Sequence, residues 1–190
     1  MVYAAASGVG TSLIQLCKLM GIKSIAVAST QDKLDACSNL GADLTINYKE
    51  LNTAETFAQK VMEFTGNNGV DYILDPICAQ NFHQNLSCIA MDCRWVCYGF
   101  LGGSKVPPNF DMASLFRKRA SLLTTTLRSR SDDYKSQLMT SFTQRCSPAM
   151  ENGDLKIIID RAFKMTELAE AMAVVEGNQA IGKIVISNDL

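Results

Sequence analysis

The stretch V2-Y3-A4-A5-A6-S7-G8-V9-G10 carries the reading of the whole chain. An apolar run short enough for a buried strand ends in a turn of small residues. Residues 11–20 follow at once, with Val9, Leu13, Leu16 and Met20 recurring at helical spacing and Ile14 and Cys17 beside them. A strand, a tight turn and a helix in this order bring free backbone N–H groups and the positive end of a helix dipole to one point, which suits a phosphate. Side chains at such a turn must be small, because the backbone itself makes the site. The dinucleotide fingerprint Gly-x-Gly-x-x-Gly is met only loosely. Ala5, Ser7 and Gly10 hold its three places, with an extra glycine at Gly8. Small residues at a strand–helix turn also serve packing alone, so the downstream pattern has to decide.

Downstream, strands and helices alternate. Gly21 closes the first helix. S24-I25-A26-V27-A28 reads as a second strand, and Thr30 caps a helix that runs to Leu40 and ends at Gly41. Strands are expected at residues 44–47, 72–74, 95–98 and 121–127, and helices at 53–64, 81–90, 114–119 and 132–146. This is the spacing of βαβ units with right-handed crossovers, and it predicts an α/β fold with a doubly wound, Rossmann-type parallel sheet of about six strands. From Asp154 the pattern changes to an extended stretch at 155–163, a helix at 166–176 and a last strand at 183–187. The expected division is therefore a nucleotide-binding domain over residues 1–150 and a C-terminal α+β segment over 151–190.

The bulk composition narrows the classes. At 190 residues, with 47% hydrophobic and 19% charged residues, the chain is globular and rather apolar. A net charge of −1 supplies no basic field for nucleic acid or an anionic membrane. The sequence has no apolar run of membrane-spanning length and no basic region leading into a signal core. Seven cysteines, Cys17, Cys37, Cys78, Cys88, Cys93, Cys97 and Cys146, form no Cys-x-x-Cys pair, and the only histidine, His83, stands apart. Zinc-ligand spacing is absent, so no metal is expected, and reduced buried thiols predict a cytoplasmic location.

Several residues bear on a cofactor. An NAD enzyme of this fold keeps Asp or Glu after the second strand to hold the ribose 2′-OH. Here Ser29, Thr30 and Lys33 stand in that region. Hydroxyls and an ammonium suit a 2′-phosphate, whereas a carboxylate would repel it. Lys33 also falls in the first turn of a helix, where a cation opposes the dipole by about 0.3–1 kcal/mol, and an anionic ligand would cancel that cost. Asp32 offers the plainer compensation. Tyr48, after the third strand, can reach the same phosphate or be an ordinary strand-end aromatic. Asp75 either faces a ligand or caps the turn before Pro76, and G99-F100-L101-G102-G103 either lets backbone approach a ligand or is turn chemistry. Arg128, Ser129 and Arg130 meet a phosphate or partner, or stand solvated.

Taken together, A4-A5-A6-S7-G8-V9-G10, S29-T30-Q31-D32-K33-L34, L40-G41-A42-D43 with I46-N47-Y48-K49, the 99–103 loop and G182-K183-I184-V185-I186 resemble the quinone oxidoreductase branch of the medium-chain dehydrogenase/reductase superfamily. L127-R128-S129-R130 is similar to its tumour-suppressor-induced NADPH quinone oxidoreductases. The resemblance implies zinc-independent hydride transfer from NADPH to a quinone-like acceptor. It assigns Ser7, Gly8, Val9 and Gly10 to the pyrophosphate, and Ser29, Thr30, Lys33 and Tyr48 to the 2′-phosphate. The nicotinamide half falls to Gly99, Phe100, Leu101, Thr125, Thr126 and Leu127, with Asn178 approaching from the C-terminal segment. It also implies a homodimer paired through the sixth strand, residues 121–127. Members of this branch carry a preceding GroES-like catalytic domain, to which nothing in these residues corresponds. Two further readings follow: an enoyl-thioester or alkenal reductase of the same superfamily, and a catalytically silent NADPH-binding and dimerising module.

Overall fold

A computed structural model describes residues 1–51 and 54–188. Its central sheet is parallel throughout. Strand β1 (Ile25–Ala28) pairs with β2 (Leu44–Asn47), while β3 (Val70–Asp75) pairs with β4 (Ile89–Cys97), and β4 with β5 (Ser121–Thr124). Val2 joins the two halves, bridging Ala26 on one side and Leu74 on the other. The spatial order is β2, β1, the Val2 segment, β3, β4, β5. With the Val2 segment counted as the first strand, this is the 3-2-1-4-5-6 order of dinucleotide-binding sheets.

The first expected strand is thus reduced to a bridge. Ala4 takes a left-handed conformation at φ 47°, which interrupts the ladder after Tyr3, and the Ala5 N–H makes one further bond to the Val27 carbonyl at 3.1 Å. Helix α1 (Gly8–Leu19) then starts at the sheet edge.

Alternation along the strands produces two cores. Val2, Ala26 and Leu74 share one face with Ile14 of α1 and Cys37 of α2 (Gln31–Asn39). Tyr3, Ile25, Val27, Ile73 and Trp95 share the other with Phe57 and Val61 of α3 (Ala54–Phe64) and Phe82 of α4 (Phe82–Leu86). Helices cover both faces, and the inner strand β1 accordingly reads as a continuous apolar run, I25-A26-V27-A28. The expected α3 start at Thr53 lies outside the described residues.

The region 81–98 differs from expectation. The helix stops at Leu86, and the strand begins at Ile89 instead of Trp95. A bulge explains why the longer strand is hidden in the sequence: Asp92 sits at φ 61°, and the pairing register shifts between Val70↔Ile89 and Tyr72↔Arg94. The alternation is broken where the strand is most exposed. Asp92 is held there by a bidentate pair from Arg119, which follows α5 (Ala113–Lys118).

Helix α6 (Asp132–Glu151) outruns the expected 132–146, starting at a Ser131 cap that accepts the Tyr134 N–H at 3.3 Å. Beyond it, parallel strands β6 (Ile159–Lys164) and β7 (Lys183–Ser187) flank α7 (Leu168–Glu176). This unit is tied to the sheet domain at three points: Gln15 exchanges hydrogen bonds with the Lys156 backbone, the Gly182 N–H donates to the Ala6 carbonyl at 2.7 Å, and Lys33 reaches Asn178.

Candidate dinucleotide cleft

Where β1 and the Val2 segment end, the sheet domain and the β6–α7–β7 unit enclose a cavity of about 870 Å³. Ser7, Gly8, Ser29, Lys33, Tyr48, Leu101 and Asn178 all line it. Val9, Gly10, Thr30, Gly99, Phe100, Thr125, Thr126 and Leu127, expected at the same site, lie outside the lining.

The floor is the start of α1. Ser7 has extended backbone, and its Oγ accepts the Gly10 N–H at 3.1 Å. A Cβ on Gly10 would run into the Ala4 and Ala5 carbonyl oxygens, so this glycine serves the close approach of helix to sheet. The first turn carries no acidic residue. Of this turn Gly8 lines the cavity, and the helix dipole at that end is uncompensated from within the helix.

One end of the cavity lies under α2. Thr30 is its N-cap residue but makes no side-chain capping bond, and Lys33 in the first turn is buried. The Lys33 ammonium donates to the Asn178 carbonyl at 2.6 Å and to Asn178 Oδ1 at 2.9 Å. Asn178 is held at φ 50°, just past α7. Burial, and then the neighbouring Lys49 charge, pull the Lys33 pKa below its ordinary value. Sequence reading puts Lys33 at the 2′-phosphate and the family resemblance implies Asn178 at the nicotinamide, yet the two side chains are hydrogen-bonded to each other. The geometry places Asn178 at the Lys33 end. Asp32, the alternative partner for Lys33, is exposed on the helix and does not line the cavity.

At the other end, the 99–103 loop is laid on the turn after β3. Leu101 N–H donates to the Pro76 carbonyl at 2.9 Å, Gly102 N–H to Ile77 at 2.9 Å, and Ala79 N–H to Gly103 at 3.2 Å. A Cβ on Gly102 would strike Ile77 and Gln80, so close approach of two backbones accounts for this glycine. Leu101 reaches the cavity, whereas residues 125–127 are exposed beyond β5.

Asp75 is fully buried and lies outside the cavity lining. Its Oδ1 accepts the N–H groups of Ile77 and Cys78, and its Oδ2 accepts Asn85 Nδ2 and Trp95 Nε1, all at 2.8–2.9 Å. From Asn85 the chain of bonds continues. Tyr3 donates its hydroxyl to Asn85 Oδ1 at 2.8 Å and accepts from Gln84 Nε2 at 2.8 Å. Burial raises the Tyr3 pKa well above its ordinary value.

Sequence reading missed Tyr3, Gln84 and Lys183 as lining residues. Tyr3 and Lys183 both stand in stretches quoted above, V2–G10 and G182–I186. The place of Lys183 in the cleft depends on a long-range return of the chain that no local periodicity encodes. Among the described residues, no three His, Cys, Asp or Glu side chains converge to hold a metal ion, so the donor set for zinc is not met there.

The sequence pattern of zinc-binding dehydrogenases matches residues 8–144. The human quinone oxidoreductase is 26% identical over 187 residues, covering 98% of this chain and 53% of its own length. Among solved structures, an NAD-dependent alcohol dehydrogenase has a TM-score of 0.79 at 30% identity, covering 98% of this chain and 50% of that one. A mycobacterial protein solved in complex with NADPH has a TM-score of 0.77 at 25% identity, covering 97% and 55%. The chain thus spans about half the length of the curated relatives it matches. With a family pattern running from the start of α1 into α6, on a sheet of dinucleotide-binding order, the chain belongs to the zinc-binding dehydrogenase family.

Proposed function

We propose that this chain is the cofactor-binding portion of an NADPH-dependent oxidoreductase acting on quinone-type acceptors. The observation that carries the reading is the buried Lys33 ammonium in a cavity wall shared with Ser29 and Tyr48, at a place where an NAD enzyme keeps a carboxylate. Bound NADPH supplies a hydride, and the protein's part is to hold and orient it. Ser7 to Gly10 take the pyrophosphate on the α1 N-terminus. Lys33, Ser29, Thr30 and Tyr48 take the 2′-phosphate. Leu101 and the 99–103 loop border the nicotinamide.

The division at residues 150 and 151 follows from the same reading, as does a cytoplasmic setting for seven free thiols. The edge strand β5 exposes all four of its residues, and a second copy pairing along it would remove that edge. Sedimentation of Leu123→Lys tests the dimer, with a shift to monomer expected. An unchanged sedimentation coefficient overturns the pairing.

The open nicotinamide end favours a second reading, in which this chain binds and dimerises without turnover. Calorimetric titration with NADPH and NADH at fixed salt, beside a quinone-reduction assay, decides among these. Selective NADPH binding with turnover supports the enzyme, selective binding alone supports the silent module, and equal binding of both cofactors overturns the 2′-phosphate assignment.

A further inference from the structure

Resting on the dinucleotide reading above, we infer that Gln84 selects the base of the cofactor: its side-chain oxygen accepts a hydrogen bond from the 6-amino group of adenine. The direction of the buried hydrogen-bond chain carries the argument. At the closed end the Asp75 carboxylate offers only acceptors, so the Asn85 amide must turn its Nδ2 to Asp75 Oδ2, at 2.9 Å, and its Oδ1 to Tyr3. Tyr3 has a single hydroxyl proton, which goes to Asn85 Oδ1 at 2.8 Å. The Tyr3 oxygen can then only accept from the next group, and Gln84 Nε2 meets it at 2.8 Å. Asp75, Asn85 and Tyr3 are all buried. An amide of Gln84 turned the other way would set two oxygens together or strip Asn85 of its donor, and either leaves a buried polar group unpaired.

One end of the Gln84 amide is thus engaged and the other is left. Gln84 lines the cavity, and its Oε1 accepts no hydrogen bond among the described residues. What it offers a ligand is an acceptor of fixed identity, which calls for an N–H group. Its place points to adenine. In NADPH the base and the 2′-phosphate hang on adjacent carbons of one ribose, so the base must lie within a sugar's length of Lys33, Ser29 and Tyr48. Tyr3 stands on the segment next to β1: the Val27 N–H donates to the Val2 carbonyl at 3.0 Å, and Tyr3 and Val27 belong to the same core face. Val27 and Ile77 line the cavity with Gln84, which gives a flat ring apolar flanks and one acceptor at its edge. A glutamine amide against the amino edge of adenine is a specific pairing. A 6-oxo base would set oxygen against oxygen, and the locked amide cannot turn to relieve it.

The test is titration of the 190-residue chain with NADPH and with its hypoxanthine analogue, in which oxygen replaces the 6-amino group. The parent chain is expected to bind NADPH about tenfold more tightly than the analogue. Gln84→Met keeps the side-chain length without the acceptor, and should bring the two affinities within about twofold of each other by weakening NADPH. Tyr3→Phe frees the amide while leaving Gln84 in place. It should narrow the gap to about twofold from the other side, by strengthening the analogue, because a freed amide can offer Nε2 to the 6-oxygen. Melting temperatures check the fold of both variants, and Gln84→Met decides alone if Tyr3→Phe does not fold. Equal binding of the two nucleotides by the parent, or a preference in Gln84→Met as large as the parent's, overturns the inference while leaving the cofactor reading intact. Failure of the parent chain to bind either NADPH or NADH overturns both.

Discussion

At the α2 end of the cleft, Ser29 and Lys33 are 7% and 6% exposed, and Lys33 is already oriented by the two hydrogen bonds it donates to Asn178 of the C-terminal unit. At the opposite end, Phe100 and Leu101 are 58% and 78% exposed, and only backbone hydrogen bonds fix their loop. A charged group held in place before the ligand arrives loses little freedom on binding, whereas exposed side chains must be ordered and desolvated by the encounter. On the proposed reading, affinity and cofactor choice therefore reside at the α2 end. The nicotinamide end supplies a surface whose enclosure depends on what is brought to it.

The loop at the open end nevertheless rests on a fully buried carboxylate, Asp75. In Asp75→Ala, the Trp95 and Asn85 side chains and the Ile77 and Cys78 N–H groups lose their acceptor together. Breaking a buried charged network of this kind costs about 3–5 kcal/mol. Trp95 is the only tryptophan, so urea unfolding followed by its fluorescence reads the loss directly. A change below about 1 kcal/mol would mean that the network is not the anchor of the Pro76–Ile77 turn.

Lys33→Ala is the next largest expected effect and acts on the other end alone. Losing a charge-assisted contact to the 2′-phosphate should cost NADPH about 1.5–3 kcal/mol, while NADH changes little. Equal losses for both cofactors, read by calorimetry, would remove the contrast on which the comparison stands.

How far the sequence anticipated these two ends follows from the range of the forces involved. The alternation of strands and helices through residue 75 is local, and β1, β2, α1 and α2 appear within a few residues of where periodicity puts them. The turn that opens α1 was legible for the same reason, since strand, small residues and helix are contiguous. Three things were not. The Asp92 bulge hides the start of β4, because a left-handed residue shifts the side-chain alternation partway along a strand. The Lys33–Asn178 contact and the Lys183–Gly8 contact both depend on the C-terminal unit folding back over the cleft, which only tertiary structure specifies. Asp75, read as either ligand-facing or capping, proved to be a cap whose second oxygen is taken by Asn85 and Trp95.

Two glycine and loop substitutions sharpen the contrast further. Gly10→Ala forces a Cβ against the Ala4 and Ala5 carbonyls, where backbone has to move, and should destabilise the fold by about 1–3 kcal/mol in thermal unfolding. NADPH and NADH should weaken together, because the shifted helix start serves both. An equal stability loss with a change confined to NADPH would place the pyrophosphate elsewhere.

The smallest effect is expected at Leu101→Ala. The side chain reaches the cavity but is mostly solvated, so truncation should move stability by less than about 0.5 kcal/mol. Affinity for either nucleotide should stay within about twofold, since little apolar area is removed from water at this end. A tenfold loss of NADPH affinity would instead show the nicotinamide half gripped as firmly as the adenosine half. The open loop would then close on the cofactor by itself, and the distinction between a binding end and an uncovered end would fail at the residue where it is most exposed.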